Sequence, residues 1–443
     1  MRRSVYLALR ALSALQHFFR ERLTKAGWLV LSAAAAAAVV GVDTSLAMSF
    51  QAFTFLAALL AMALLTAPFF RLRVAVRREL PRYATAGERL EYPVTVENLG
   101  PRPLVDVTAI ETLCDPRPAY DTWREAREPG ESRRNGFDRR MGYFRWRWLI
   151  ERRTPRPPRE VALPRLRPGG TETVKLALEP RRRGRIELAG ITLAQTDPLG
   201  LVRGLVRAQA PAHVTVLPKR YRLPRILLPG ARRYQQGGVA MATSIGDSEE
   251  FVALRDYRPG DPLQRVHWKS FARAGRPIVK EYHDEFFERH ALVLDTSTDR
   301  GEDAAFEEAV AVAASFVYAV DTQECLLDFL FVGREVHGYT TGRGQMRAEH
   351  LLEVLAGLAP SAPEAFETLA NRVRAHRHRL TSCIVVLLDW DEPRRAFVEA
   401  LRASGLEVRA LFVCTHKAPP PEAQAGLLVL HPGEIASGLA RLA

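Results

Sequence analysis

Residues 250–299 read EFVALRDYRPGDPLQRVHWKSFARAGRPIVKEYHDEFFERHALVLDTSTD, and the fold turns on how this stretch divides. From Leu254 to Lys280 it is polar and rich in turn formers, whereas 290–294 is a short apolar run that breaks into Asp295-Thr-Ser-Thr-Asp299. An apolar run of that length, bounded by polar residues, reads as a strand buried on both faces of a parallel sheet. Its end sets short oxygen side chains at the carboxyl edge of the sheet, where α/β folds hold ligands, so Asp295, Ser297 and Asp299 are candidate ligands for a hard cation.

Helix and strand patterns alternate from there onward. Phe306, Val310, Ala313 and Val317 have helical spacing over 303–320, and 326–332 is an apolar strand. Helical patterns over 347–358 and 363–379 precede a fully apolar strand at 383–388, which ends in Asp389-Trp-Asp391. A helix over 393–403, a strand over 406–414 and a last short helix over 433–442 complete the pattern. Such alternation predicts a doubly wound α/β domain over 250–443.

The run ahead of the strand is a longer pattern. Arg255, Asp256, Tyr257, Arg258, Pro259, Gly260 and Asp261 are followed by Arg265, Val266, His267, Trp268 and Lys269, and then by Ala272, Arg273, Gly275, Val279, Lys280 and Glu281. The series resembles the signature of the bacterial domain of unknown function 58 family, without a gap. Asp197-Pro-Leu-Gly-Leu201 resembles a second element of that family, and it is a turn by its own chemistry. The resemblance implies a von Willebrand factor A-like domain whose first strand ends in Asp-x-Ser. It also implies genes that sit beside a MoxR-type AAA ATPase and a transglutaminase-like membrane protein, which makes the ATPase the natural partner.

A metal-ion-dependent adhesion site like that of von Willebrand A domains has Asp-x-Ser-x-Ser, a Thr from a later loop, and an Asp after the fourth strand. Asp295 and Ser297 match, Asp299 stands where the second Ser would be, Thr340 or Thr341 is the candidate Thr, and Asp389 or Asp391 the last carboxylate. An all-oxygen set of this kind suits Mg²⁺ or Ca²⁺. The competing expectations are that Asp295 hydrogen-bonds loop amides or a helix start, and that an internal Lys or Arg, such as one from the Arg255–Lys280 run, relieves the clustered carboxylates. The signature run is open to two readings as well. It is structural if Pro259-Gly260 makes a turn and Trp268 is buried as an anchor, or it is a partner-binding surface built from Arg255, Tyr257, Arg258, Pro259, Gly260, Asp261, Arg265, His267, Trp268, Lys269 and Arg273. The family's frequent Asp at the position of His267 argues against an essential imidazole there.

The 443 residues leave room for two or three domains, and a net charge of +13 points to an anionic surface or to charged flanks of membrane segments ahead of nucleic acid. Four scattered cysteines without CxxC spacing suggest neither a zinc site nor a disulfide framework. Basic residues at Arg2, Arg3, Arg10, Arg20, Arg22 and Lys25 precede an apolar run at 27–42, a link carrying Asp43, and a second apolar run at 46–70. This is the pattern of a two-helix transmembrane hairpin filling residues 1–70. Arg71, Arg73, Arg77 and Arg78 follow it, so both ends face the cytoplasm of the inner membrane.

Short alternating segments over 71–220 predict an immunoglobulin-type β-sandwich. It is interrupted at 115–160 by an Arg- and Trp-rich insertion whose residues 141–150 alternate like a β-hairpin arm. That insertion suits a solvated surface, a layer of lipid headgroups or stacking on single strands. Residues 221–249 read as a linker. No GxSxG, HExxH or Walker A pattern occurs. The expected function is therefore a membrane-anchored, non-catalytic interaction module. The alternative is a metal-dependent hydrolase that uses Asp295, Asp299 and Asp389 as ligands. The charge asymmetry across Asp43 makes one direct prediction. An alkaline phosphatase fusion at the carboxyl terminus is inactive while a cytoplasmic reporter there is active, and the opposite result reverses the topology.

Overall fold

The computed structural model describes residues 2–40, 47–66, 72–128, 130–156, 159–224, 250–261, 263–283, 289–298, 303–320, 326–332, 336–341, 348–415 and 426–442. They fall into two units: Met1–Tyr221 with Thr298–Ser315 and Glu349–Pro360, and Arg222–Ser297 with Phe316–Ala348 and Ser361–Ala443. Most of the expected linker, from 225 to 249, lies outside the described residues.

Three helices open the first unit: α1 (Arg2–Arg22), α2 (Lys25–Val40) and α3 (Ala47–Thr66). Within α3, Met48–Leu65 is long and apolar enough to cross a membrane, whereas α2 is apolar but only 16 residues long. The two-residue break between α1 and α2 is held by a turn far along the chain. Leu23 bridges Val202, Thr24 N donates to Leu201 O (3.1 Å), and Thr24 Oγ1 donates to Gly200 O (2.6 Å). Asp197 shapes that turn by accepting the amides of Leu199 (3.1 Å), Leu201 (2.7 Å) and Val202 (2.7 Å). A Cβ on Gly27 would stand 2.1 Å from Leu201 O, so only glycine permits the approach.

Two sheets follow. β1 (Val74–Arg78), β3 (Leu90–Asn98) and β6 (Thr171–Leu178) form one, in the order β1-β3-β6. β2 (Tyr83–Thr85), β4 (Val107–Leu113), β5 (Val161–Ala162), β7 (Gly184–Thr196) and β8 (Arg203–Leu217) form the other, in the order β2-β8-β7-β4-β5. One core draws Tyr92, Val94, Val96, Leu176 and Leu178 from the first sheet and Val107, Ala109, Ile191, Leu193, Val214 and Val216 from the second, which makes the pair a sandwich. Inside it Arg78 Nη1 pairs with Glu111 Oε1 at 2.5 Å, and Tyr92 OH donates to Glu111 Oε2 at 2.8 Å. Burial, with the Glu111 carboxylate beside it, pushes the Tyr92 phenol above its ordinary range and keeps it a donor.

The Arg- and Trp-rich insertion is helical, which corrects the expected hairpin arm at 141–150. It forms α4 (Tyr120–Glu125), α5 (Gly136–Met141) and α6 (Tyr143–Arg153). Asn135 caps α5 by accepting Asp138 N (2.7 Å), and Gly142, at φ +60°, ends α5 and starts α6. Trp123 Nε1 donates to Gly142 O (3.1 Å). The decisive spacing is i, i+3: Trp146 and Leu149 turn inward together with Trp123, Tyr6 and Leu9. The alternation of Trp146 with Trp148 imitates a strand only while these contacts are out of view.

The second unit opens with a hairpin of β9 (Glu250–Asp256) and β10 (Ile278–His283), with α7 (Trp268–Ala274) between them. The main sheet is built from β11 (Arg289–Leu294), β12 (Leu326–Val332), β13 (Val336–Thr341), β14 (Ser382–Leu387), β15 (Glu407–Val413) and β16 (Leu427–Leu430), in the order β13-β12-β11-β14-β15-β16. Every pairing is parallel except β12 with β13. In chain order α8 (Ala304–Val320) follows β11 and α9 (Ala348–Ala356) follows β13, most of both being counted with the first unit, and α10 (Ala365–His376), α11 (Glu392–Ala403) and α12 (Ile435–Leu439) come later. Phe366, Leu369, Val373, Phe397 and Leu401 of α10 and α11 cover one face, against Ala291, Val293, Val385 and Phe412. Leu292 and Leu294 point the other way and are equally buried, so both faces are covered. β13 and β16 have no counterpart in the sequence reading, being short and, in β13, polar.

His290 lies buried in β11, its Nδ1 2.7 Å from Ser382 Oγ of β14, and burial holds its pKa down to about 4. The imidazole stays neutral in the fold while an unfolded His takes up a proton near pH 6.5, so this contribution to stability is present above about pH 6.5 and is lost as pH falls toward 4. Denaturation curves will show stability declining by up to about 1.4 kcal/mol per pH unit across that window, and His290→Asn will flatten the slope.

Candidate functional site

At the carboxyl edge of the sheet the chain leaves β11 at Asp295, which is fully buried. Asp295 Oδ1 accepts Ser297 N (2.9 Å), and Oδ2 accepts Leu388 N (3.4 Å) and Arg394 Nε (2.7 Å). Arg394 stands in the first turn of α11 and is itself buried. Its Nη1 donates to Asp391 Oδ2 (2.5 Å), its Nη2 to Ser297 O (3.1 Å), and its guanidinium lies 4.7 Å from the centre of the Phe366 ring. Burial pushes the Asp295 carboxyl up while the Arg394 guanidinium pulls against it.

Asp391 is the N-cap of α11, accepting Arg394 N (3.1 Å), and Pro393 occupies the first turn. That capping geometry carries Arg394 back over the sheet edge. Thr296 and Ser297 are tied to Ser361: Ser361 N donates to Thr296 O (2.9 Å), and the Thr296 and Ser361 hydroxyls are 2.9 Å apart.

The expected metal ligands separate on this geometry. Asp295 and Ser297 hold the edge as anticipated, and Asp299 lies outside the described residues. Asp389 is exposed, accepts Trp390 N (2.9 Å) and adds to the field at Arg394. Thr340 and Thr341 sit at the wrong edge. β13 runs antiparallel to β12, so Thr341 pairs with Leu327 and Thr340 with Asp328, at the amino ends of the parallel strands. Ser361 supplies the hydroxyl at the loop instead. Arg394 escaped the sequence reading, although its signal was present as a basic residue three positions after a capping Asp, where the two share a helix face. Both oxygens of Asp295 already accept protein donors, one of them a permanently charged guanidinium, and this donor set does not fit a divalent ion.

The signature run forms the second cluster. Arg255 and Asp261 make a two-pronged pair, Nη1 to Oδ2 at 2.7 Å and Nη2 to Oδ1 at 2.8 Å, and Arg258 N adds a third donor at 2.8 Å. With these donors the Asp261 carboxyl is held down to about 2, so the stability it supplies is present above the ordinary Asp range and is lost as pH falls toward 2. Pro259 and Gly260 make the turn between them, with Gly260 at φ +106°. Tyr257 N donates to Pro277 O (3.0 Å) and His267 N to Ile278 O (2.8 Å), while His267 Nδ1 meets Ser270 Oγ (2.7 Å). Arg265 lies in the single 3₁₀ turn Leu263–Arg265.

The expectation that Trp268 is a buried anchor is overturned. The hairpin is pinned by the bridge between Val266 and Val279, both buried, while Trp268 is 64% exposed and meets Phe271 edge-on at 6.0 Å. Leu263 is 68% exposed, and Arg258, Lys269 and Arg273 are also exposed.

Residues 253–414 match the family described as "Protein of unknown function DUF58". The uncharacterized protein YeaD of Bacillus subtilis (strain 168) is 27% identical over 188 residues, 42% of this chain and 45% of that protein, so less than half of that relative is spanned. Among solved structures, the CARDB domain of the PF1109 protein from Pyrococcus furiosus, in complex with di-metal ions, is 13% identical with a TM-score of 0.17 over 33% of this chain and 96% of that chain. The PapD-like domain of human CEP192 is 13% identical with a TM-score of 0.16, over 33% of this chain and 87% of that one. Likenesses that weak add nothing to the strand pairing above. The family match covers most of the β9–β10 hairpin, Asp295, Asp391 and Arg394 together, so it is over residues 253–414 that the chain resembles the DUF58 family.

Proposed function

We propose that the chain is a membrane-anchored, non-catalytic interaction protein whose second unit docks a partner protein on the β9–α7–β10 hairpin. The carrying observation is the exposed apolar group Leu263, Trp268 and Phe271 beside the exposed cations Arg258, Lys269 and Arg273. An aromatic side chain left in water with arginines around it is the composition of an interface hot spot, and it fits a partner presenting apolar residues within an acidic surface. The family resemblance makes a MoxR-type AAA ATPase the first partner to test and a transglutaminase-like membrane protein the second.

The finer fold readings belong with this proposal. A sheet whose strands run 3-2-1-4-5-6 in chain order, with the third antiparallel, supports a von Willebrand factor A-like domain, and two facing sheets around one core support an immunoglobulin-type sandwich. The apolar, exposed surfaces of α2 and α3 support a hairpin through the inner membrane, with the basic flanks and the soluble units on the cytoplasmic side. The guanidinium across Asp295 favours a degenerate adhesion site held by protein charge. It weighs against the metal-dependent hydrolase, which needs Asp295, Asp299 and Asp389 free for Mg²⁺ or Ca²⁺.

Two experiments follow from this reading. Removing Arg394 strands a buried carboxylate, so Arg394→Ala lowers stability by about 3–5 kcal/mol, and millimolar Mg²⁺ leaves the wild-type Tm unchanged; a Mg²⁺-dependent rise restores the metal site. Trp268→Ala weakens binding to the ATPase by about tenfold or more while stability changes by no more than roughly 0.5 kcal/mol. Lost stability with intact binding returns the tryptophan to a structural role.

A further inference from the structure

Helix α1 has two apolar sides, and the protein covers one of them. Tyr6 and Leu9 are buried with Trp123, Trp146 and Leu149 of the insertion, and Tyr6 OH donates to Pro118 O (3.2 Å). At the other end of the helix, Phe19 and the buried Leu23 share a cluster with Leu201 and Val202, with Val30 and Leu31 of α2, and with Leu59 and Ala63 of α3. The helix is therefore fixed at both ends.

The second side is uncovered among the described residues. Leu7, Ala11, Leu15 and Phe18 stand at i, i+4, i+8 and i+11, a spacing that draws one stripe along a helix. Leu7, Leu15 and Phe18, with Leu12 beside them, are each between 45% and 57% exposed, and Ala11 is exposed as well. A row of large apolar side chains on one helix face is more than the scattered exposure of an ordinary surface.

Cations border the stripe. Arg3 and Arg10, both exposed, stand four residues before and three after Leu7, and the Arg22 guanidinium lies 4.9 Å from the centre of the Phe18 ring. The helix carries one acid, Glu21, and it is already held by Arg207 (2.8 Å) and His17 (3.1 Å). The net field beside the stripe thus favours an anionic surface.

Placement says which surface that is. Ala63, in the cluster that holds Leu23, lies two residues from the end of the apolar span Met48–Leu65, so α1 ends where that span reaches its boundary. Arg10, Gln16 and His17 interrupt α1 along its length and keep it from crossing. An apolar stripe edged by basic residues at that level is the pattern of a helix lying in the plane of the interface, and lipid is already present there in excess of any protein partner.

We propose that α1 is an in-plane anchor on anionic phospholipid: Leu7, Ala11, Leu15 and Phe18 enter the boundary between headgroups and acyl chains, while Arg3, Arg10 and Arg22 reach the phosphates. This role rests on the reading of α2 and α3 as a membrane hairpin. The insertion then acts as the cradle that ties the lipid-bound helix to the sandwich, through Tyr6 and the two tryptophans around it.

The test places the photo-crosslinker benzoylphenylalanine, one position at a time, at Leu7, Leu15, Gln16 or Phe55 of the full chain, in nanodiscs of phosphatidylglycerol or phosphatidylcholine. Leu7 and Leu15 report on the stripe, the exposed Gln16 lies off it, and the exposed Phe55 of α3 reports on the span itself. After irradiation, mass spectrometry finds phospholipid adducts at Leu7, Leu15 and Phe55 and little at Gln16. The Leu15 yield is about fivefold or more higher in phosphatidylglycerol than in phosphatidylcholine, and Arg3→Gln with Arg10→Gln removes most of that difference. Lipid adducts at Phe55 without any at Leu7 or Leu15 overturn the in-plane anchor and leave the hairpin standing, whereas none at Phe55 overturns the hairpin reading. Adducts from the stripe to protein, whether a second copy or another chain, overturn the lipid assignment, and equal yields in the two lipids overturn the role given to the arginines.

Discussion

The buried pair of Asp295 and Arg394 ties together three pieces, one of them nearly a hundred residues along the chain from the other two. Asp295 ends β11, Leu388 follows β14, and Arg394 opens α11, so the carboxylate and guanidinium fix the first turn of that helix against the two central strands. The attraction offsets a heavy desolvation cost, and the hydrogen bonds from Ser297 N and to Ser297 O satisfy what the pair alone leaves open. A helix that could otherwise slide along an apolar sheet is thereby given one position. The same pair occupies the edge of the sheet at which α/β folds hold ligands.

Much of the second unit was legible before any coordinates, and the reason is burial. Strands covered on both faces must be apolar throughout, so 290–294 and 383–388 announce themselves, and the helices between them show their one-sided spacing. The failures are also physical. β13 carries His337, Gly338, Thr340 and Thr341 because it is the antiparallel margin of the sheet, and nothing in its composition distinguishes it from a loop. Trp268 was read as an anchor because large aromatics usually bury, yet the apolar contact that closes the hairpin is made by the smaller Val266 and Val279. Asp-x-Ser was legible as a sheet-edge motif, but whether an edge carboxylate meets a metal or an arginine depends on a residue 99 positions later, and local pattern carries no such information.

The first unit teaches a related lesson about insertions. Arginine and tryptophan at 117–159 look like one surface in composition, but the fold sorts them: Trp123 and Trp146 pack around Tyr6, Phe137 and Tyr143 remain outside, and Arg145 reaches the backbone carbonyl of Trp123 at 3.2 Å. In the sandwich, Glu111 and Arg78 form a polar core no alternating pattern would announce, since each occupies an ordinary strand position.

The tie between Thr24 and the turn at Gly200–Leu201 has a mechanical meaning. Both the amide and the hydroxyl of Thr24 are clamped at the break between α1 and α2, and the missing side chain of Gly27 lets the helix sit directly on the turn. That turn joins β7 and β8, which run for 13 and 15 residues and are the longest strands among the described residues. A tilt of α2 therefore cannot be absorbed at its own base; the load passes through the clamp into a two-stranded lever and arrives at the far end of the sandwich.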